Sequence, residues 1–280
     1  MQPAASLHAR AARVARLVSV AVCVGMGLAL VIANLPSWEL EDLDAYWNAA
    51  LRLRAGEPLY IPALEAADAY RYAPWFAWAW IPLTMLPKAL VQLAWSAVLV
   101  AAVGVALWPL ARRPGWAAVA LLFLMGGLLV RTASTGNVHA LLVAWLVWGV
   151  ERRSGPAWIA LAASLKAAPI ALVAVYLGRR QWARAAVCAA LTAALIVPML
   201  GYDLSGYPAQ PGESFSLLSL AGPAWWGVVA AATLAATIAR PTWLVGTVAV
   251  LAALPRLLLY DLTFLLVGTQ AQPERSSSRQ

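Results

Sequence analysis

Apolar runs that continue without alternation set the limits on this chain. The first extends from about 17 to 35. Others fall at about 73–87, 89–111, 115–130, 137–150, 156–177, 182–201, 216–239 and 242–268. Their separators are short: Arg112-Arg113-Pro114-Gly115, Ser134-Thr135-Gly136, Glu151 to Gly155, and Gly178 to Arg180. A run with no polar face suits hydrocarbon. Helices can satisfy every backbone group there, whereas the strands of a membrane barrel alternate apolar and polar residues. Charged residues make up only 11% of the chain and hydrophobic ones 63%, with mean hydropathy +0.75. A soluble domain carries about 25% charge. An ordinary soluble enzyme, a disordered protein and a nucleic-acid module are therefore excluded. The expectation is an all-α, polytopic membrane protein of about 8–10 transmembrane or half-membrane helices. It would occupy 1–269 as one domain, with an extracytoplasmic first loop at 36–72.

Arg10, Arg13 and Arg16 precede the first run. That run exceeds the roughly 7–15 apolar residues of a cleaved leader, and Pro36-Ser37-Trp38 is not a small-residue cleavage site. A retained first helix with its N-terminus in the cytoplasm is expected. If every run crossed once, Arg112-Arg113 and Arg152-Arg153 would both fall outside, against the positive-inside bias. The 73–87 run is also too short, since fifteen helical residues reach only about 22 Å of a roughly 30 Å core. The favoured alternative makes 73–87 re-entrant and breaks 156–177 into two half-helices near Lys166 and Pro169. All these arginines, with Arg179, Arg180, Arg184 and Arg240, then lie on one side. Irregular backbone at membrane depth must be buried in protein or line a cavity, so two broken segments imply an internal site. Cys23 and Cys188 sit inside apolar runs and read as small buried hydrophobes.

The region from Pro36 to Tyr72 holds Glu39, Glu41, Asp42, Asp44, Glu57, Glu65 and Asp68, seven of the twelve carboxylates. Asp44 to Arg54 has helical content, with Tyr46, Trp47, Ala50, Leu51 and Leu53 available for an apolar face, and Gly56 and Pro58 to end it. A helix along the interface is expected. The cluster reads either as a solvated outer face or as a source of a general base. Asp42 and Asp44 lie one residue apart, just after a membrane span, where lipid head groups are found.

Further polar residues interrupt apolar surroundings. Arg131 is followed by Thr132, Ser134, Thr135, Asn137 and His139. Lys166 lies within one run, and Arg256, Tyr260 and Asp261 within the last. Buried charges in membrane segments face partners or cavities, although snorkelling and loop positions account for them equally well one at a time. A lone histidine such as His139 is more often a packed polar residue than a catalyst. Trp75, Trp78 and Trp80 are candidates to line a sugar or prenyl site, or to anchor the interface. No phosphate-cradling glycine loop, HExxH, GxSxG or paired CxxC occurs, so nucleotide-dependent chemistry is not expected.

Asp42-Leu43-Asp44-Ala45-Tyr46-Trp47-Asn48-Ala49-Ala50, Gly56-Glu57-Pro58-Leu59-Tyr60, Tyr70-Arg71-Tyr72-Ala73-Pro74 and Pro82-Leu83 through Leu86-Pro87 together resemble a known first-loop pattern. It is that of the polyprenol-phosphate-mannose-dependent mannosyltransferases, glycosyltransferase family 87 of the GT-C class. Gly136-Asn137-Val138-His139 is similar to a Gly-Gln-Val-Asn segment of that family. Leu165-Lys166-Ala167-Ala168-Pro169 is similar to its Leu-Lys-x-x-Pro segment. Pro255-Arg256 to Tyr260-Asp261-Leu262 is similar to its late Pro-x-x-x-x-Tyr-Asp-Leu element. The resemblance implies a GT-C-like bundle in the cell membrane with an extracytoplasmic active site. It further implies a polyprenyl-phosphate-linked hexose donor, most often mannose, a glycolipid or glycan acceptor, and inversion at the anomeric carbon. Asp42 would be the general base, with Asp44 beside it. Tyr46, Arg71, Tyr72, Arg131, Asn137, His139, Lys166, Arg256 and Tyr260 would bind substrate. No cofactor, metal or nucleic acid is expected. The alternatives are a transporter or flippase for a lipid-linked sugar, and a non-catalytic shortened relative, since the chain ends soon after the last motif. The tail at 270–280 is expected to be disordered.

Overall fold

A computed structural model describes residues 3–34, 40–62, 70–113, 115–207 and 214–269. Glu39, Glu65, Asp68, the 36–38 segment and the tail expected at 270–280 lie outside the described residues. Within them every regular element is helical, as the unbroken apolar runs require. Five helices are long and apolar enough to cross a membrane: α1 (Pro3–Asn34), α4 (Lys88–Ala111), α5 (Trp116–Ser134), α9 (Trp182–Ile196, continuing to Gly201) and α10 (Leu217–Ala239). Shorter apolar helices fill the spaces between them: α6 (His139–Gly149), α7 (Gly155–Leu165), α8 (Val173–Gly178) and α11 (Trp243–Ala253). The chain is an α-helical membrane protein.

Small residues let α1, α4 and α5 approach closely. Gly126 backs onto Cys23, and Gly27 faces Val100 and Val130. Such pairs substitute for the hydrophobic drive that lipid does not supply. They also fix direction: α1 runs parallel to α5 and antiparallel to α4. The start of α1, with Arg10, Arg13 and Arg16, thus lies at the same end as Arg112 and Arg113.

Two stretches begin and end on the same side of the bundle. In the first, Tyr176 Oη donates to Val150 O at 2.9 Å, and Arg179 pairs with Glu151 at 3.0 Å. Both ends of 155–178 therefore meet at one pole. Between them the backbone leaves the helix at Lys166 (φ −147, ψ 107) and re-forms as a 3-10 turn, Ala168–Leu172. Pro169 causes part of this break, since it supplies no amide hydrogen for the Leu165 carbonyl four residues back, and its ring crowds that carbonyl. In the second, α3 (Pro74–Trp80) passes into a 3-10 segment, Ile81–Met85. The whole segment lies against α2 (Glu41–Ala55): Phe76 and Trp80 pack on Tyr46, Arg54 Nη1 donates to Thr84 Oγ1 at 2.7 Å, and Lys88 just beyond pairs with Asp44 at 2.9 Å. These twelve residues reach about 20 Å, well short of a membrane core.

The helix α2 is built by its charges. Glu41, Asp42 and Asp44 occupy its first turn and Arg52 and Arg54 its last, both favourable to the helix dipole, and Gly56 ends it in the left-handed conformation (φ 71). Its buried face carries Leu43, Ala45, Tyr46, Trp47, Ala49 and Ala50. Leu51, expected on that face, is 40% exposed, and Arg52 is buried in its place. The last apolar run, 242–268, divides in two. It forms α11 and then a long 3-10 segment, Leu259–Thr269, with Arg256 in the joint.

Most arginines at the helix junctions gather at one end, Arg131 and Arg256 excepted. Arg113 donates to Thr269 O, Gly268 packs on Leu244, and the neighbouring Trp243 donates to Glu151. Arg152, Arg153, Arg179, Arg180 and Arg184 belong to the same pole, and Gly178 abuts Ile238 just before Arg240. The opposite pole carries α2, α3 and the start of α4.

Candidate active site

Several irregular points of the fold converge on one cavity of about 820 Å³. It lies between the start of α2, the 71–72 strip, the α5–α6 turn, the break at Lys166 and the joint after α11. Nine of the eleven residues singled out from sequence line it: Asp42, Arg71, Tyr72, Arg131, Asn137, His139, Lys166, Arg256 and Tyr260. Asp44 and Tyr46 do not.

Asp42 reaches the cavity because α2 docks on the α5–α6 turn. Gly136 permits this approach. It has φ +79, and a Cβ there would lie 3.1 Å from that of Leu43. The Asp42 amide then donates to Thr135 O at 3.1 Å, and Thr135 Oγ1 donates to Asp42 Oδ2 at 2.9 Å. The Asn137 side chain also donates to the carboxylate, while its Oδ1 accepts from the His139 amide at 2.8 Å. Burial pushes the Asp42 carboxyl above the usual range and Glu41 adds to this. Thr135, Asn137 and the Arg71 charge hold it back. The balance leaves a carboxylate that is a better proton acceptor than a solvated one.

Asp44 departs from the expected pair. Residues two apart on a helix point to opposite sides, and Asp44 faces Lys88 at the start of α4. Asp42 is therefore the sole member of the pair at the cavity. Among the described residues no three His, Cys, Asp or Glu side chains converge as a metal cluster.

Tyr46 lies one turn below Asp42, fully buried, and acts as a strut. Its hydroxyl accepts from the Val138 amide at 3.2 Å and donates to Tyr72 at 3.3 Å. Its ring packs among Tyr72, Phe76, Trp80 and Trp95. Tyr72 faces the cavity, and burial followed by the charge of Asp42 pushes its phenol up, so it stays protonated as a donor. Arg71 is fixed through its backbone, where its carbonyl accepts from Tyr207 Oη at 2.9 Å. Arg71 Nε is buried with no hydrogen-bond partner. Arg131 is exposed, at the rim. The tryptophans lie elsewhere. Trp75 donates to Ser164 at 3.0 Å, Trp78 to Tyr202 at 3.0 Å, and Trp80 is buried in the Tyr46 cluster.

Deeper in, Lys166 donates to Asp261, which is fully buried. The ammonium lies 4.9 Å from the Tyr260 ring. His139 Nε2 is 2.8 Å from Thr263 Oγ1 and 3.1 Å from Tyr260 O, and its ring packs edge-on against Tyr260. Sequence reasoning missed two residues here. Thr135 is one of a polar run with nothing local to single it out, and the partner of Asp261 is 95 residues distant.

The cavity thus carries one partly buried carboxylate with a raised pKa, the exposed Glu41 beside it, and four cations: Arg71, Arg131, Lys166 and Arg256. Such a lining suits an anionic ligand with a group to be deprotonated at its mouth.

No known family, curated protein or solved structure matches the chain. What the cavity does must be argued from its own residues.

Proposed function

We propose that the chain is a membrane glycosyltransferase of the GT-C kind, moving a hexose from a polyprenyl-phosphate-linked donor to a hydroxyl acceptor with inversion. The sugar is mannose if the resemblance to family 87 holds, and the acceptor is a glycolipid or glycan. One observation carries the reading. Asp42, the one aspartate lining the cavity among the described residues, is held there by Thr135 and Asn137, in the same 820 Å³ space as four cations. That volume falls within the usual range for small-molecule sites, about 300–1,000 Å³.

In the reaction the acceptor oxygen attacks the anomeric carbon from the face opposite the phosphate. The bond from that carbon to the phosphate oxygen breaks, and polyprenyl phosphate leaves with the electron pair. The acceptor's proton passes to Asp42 as the new bond forms. Phosphate is a good leaving group, so no protein acid is needed. The charge growing on it is met by Arg71, Arg131, Lys166 and Arg256. The clustering of junction arginines at one pole supports a cytoplasmic location for that pole and an outward-facing cavity in the cell membrane. Membrane lipids surround the long helices, and α10 is the least buried of the five.

Transfer of label from radiolabelled polyprenyl-phosphate-mannose into membrane glycolipids and glycans tests the reading. Membranes containing the wild type should transfer, and those containing Asp42→Asn should not. Equal transfer by both would remove Asp42 as the base. A lipid-linked-sugar transporter is the second reading, favoured by the half-helices that meet at Lys166. It predicts movement of the lipid-linked sugar across the bilayer without a new glycosidic bond.

A further inference from the structure

Asp261 is fully buried behind the cavity wall. A carboxylate among apolar helices is tolerated when it is paired and its lone pairs are used. Both oxygens of Asp261 are occupied. Lys166 Nζ donates to Oδ1, and the Leu258 amide donates to Oδ2 at 2.9 Å. The Asp261 amide in turn donates to Leu258 O at 2.9 Å. This reciprocal closure pins the carboxylate to its own backbone turn.

His139 does not compete for it. Tyr260 O can only accept, so the hydrogen of a neutral His139 ring lies on Nε2, which faces both Tyr260 O and Thr263 Oγ1. The Thr263 hydroxyl hydrogen is committed to Tyr260 O at 2.6 Å. Nδ1 then faces Asp261 Oδ1 without a hydrogen, at 3.8 Å, beyond hydrogen-bond range. Lys166 is the cation that Asp261 holds.

The grip has a direction. The Lys166 side chain is 23% exposed and lines the cavity, while Asp261 is behind it. One ammonium hydrogen points back to the carboxylate and two remain for the cavity. The stem issues from the helix break, where the backbone is extended. Besides Asp261 the ammonium has the faces of Tyr260 and Phe264 near it, at 4.9 and 5.9 Å, and neither ring sets the direction of its hydrogens as the carboxylate does.

We propose that Asp261 is the positioning residue that holds the Lys166 ammonium at the cavity floor, so that its remaining hydrogens meet the phosphate of the lipid-linked donor. This rests on the glycosyl-transfer reading of the cavity, and the experiment separates the two. The full chain in lipid nanodiscs is titrated with a polyprenyl monophosphate and with the parent polyprenol, which lacks the phosphate. The wild type should bind the monophosphate more tightly. Asp261→Asn and Asp261→Glu should each weaken that binding roughly tenfold and leave polyprenol binding unchanged. The glutamate variant keeps the buried charge pair and moves only its reach, which guards against a variant that fails to fold. In a Lys166→Gln background, Asp261→Asn should cost nothing further, because its effect runs through Lys166. Wild-type affinity in both Asp261 variants, or an undiminished loss in the Lys166→Gln background, overturns the positioning role and leaves the donor reading standing. A wild type that binds monophosphate no better than polyprenol overturns both.

Discussion

Thr135 and Asp42, 93 residues apart in the chain, are joined by a 2.9 Å hydrogen bond that brings the α5–α6 turn onto the first turn of α2. The bond stabilises the ionised carboxylate against the burial that opposes it. In Thr135→Val that support is lost and the Asp42 pKa rises further. Activity should appear as pH rises through the Asp42 pKa, which lies above the ordinary carboxylate value. The acid limb of kcat/KM in Thr135→Val should therefore sit at higher pH than in the wild type. An unmoved limb would mean that Asp42 is not the base.

Asp42→Asn should lower transfer by about 10²- to 10⁴-fold, the usual contribution of a general base. It should not destabilise the fold. A carboxyl whose folded pKa is raised costs stability as pH climbs past its unfolded value toward its folded one, so the neutral amide removes a penalty at neutral pH. Thermal unfolding in detergent at pH 7 should show an unchanged or higher midpoint. Asp44→Asn should behave differently. Its pair with Lys88 is partly exposed (22% and 41%), so its loss should cost at most about 1 kcal/mol and leave transfer near the wild-type rate.

Much of this arrangement was legible in the sequence. The apolar runs gave the helices, and the Lys166 and Pro169 interruption gave the break, because a mid-run charge seeks a polar partner and a proline three residues on removes a helical hydrogen bond. The polar run from Arg131 to His139 marked the turn that carries Asn137 to the cavity. The pairings across it were not legible. Nothing local ties Thr135 to Asp42, or Lys166 to Asp261, since each contact is created by packing between distant helices. The divergence of Asp44 from Asp42 follows from helical geometry once residue 41, rather than 44, is known to begin α2. The 3-10 form of Leu259–Thr269 has no counterpart in the hydrophobic pattern, which reads the same for either helix.

Gly136→Ala tests the docking of α2. The new methyl would meet Leu43 at 3.1 Å, on a backbone at φ +79 that side chains avoid. A loss of about 1–3 kcal/mol is expected. Transfer should fall by more than the loss of folded protein explains, because Asp42 moves with α2. Thermal unfolding and specific activity, measured on the same preparation, separate the two effects.

Single cysteines report the orientation. Cys23 and Cys188 are buried, so background labelling should be low. Glu57→Cys, exposed just beyond α2, should react with a membrane-impermeant maleimide on intact cells. Arg153→Cys, exposed at the arginine pole, should react only after the membrane is opened. The reverse pattern would turn the molecule over and place the cavity inside.

The sorting of arginines to one end gives the molecule an electrical handedness. To invert, it would have to carry those charges through the voltage of a respiring cell, at about 2.3 kcal/mol for each charge per 100 mV. With the arginine pole on the negative side, the same voltage that drives ion transport also fixes the chain in place. Its orientation is then held by the membrane voltage as well as by its insertion.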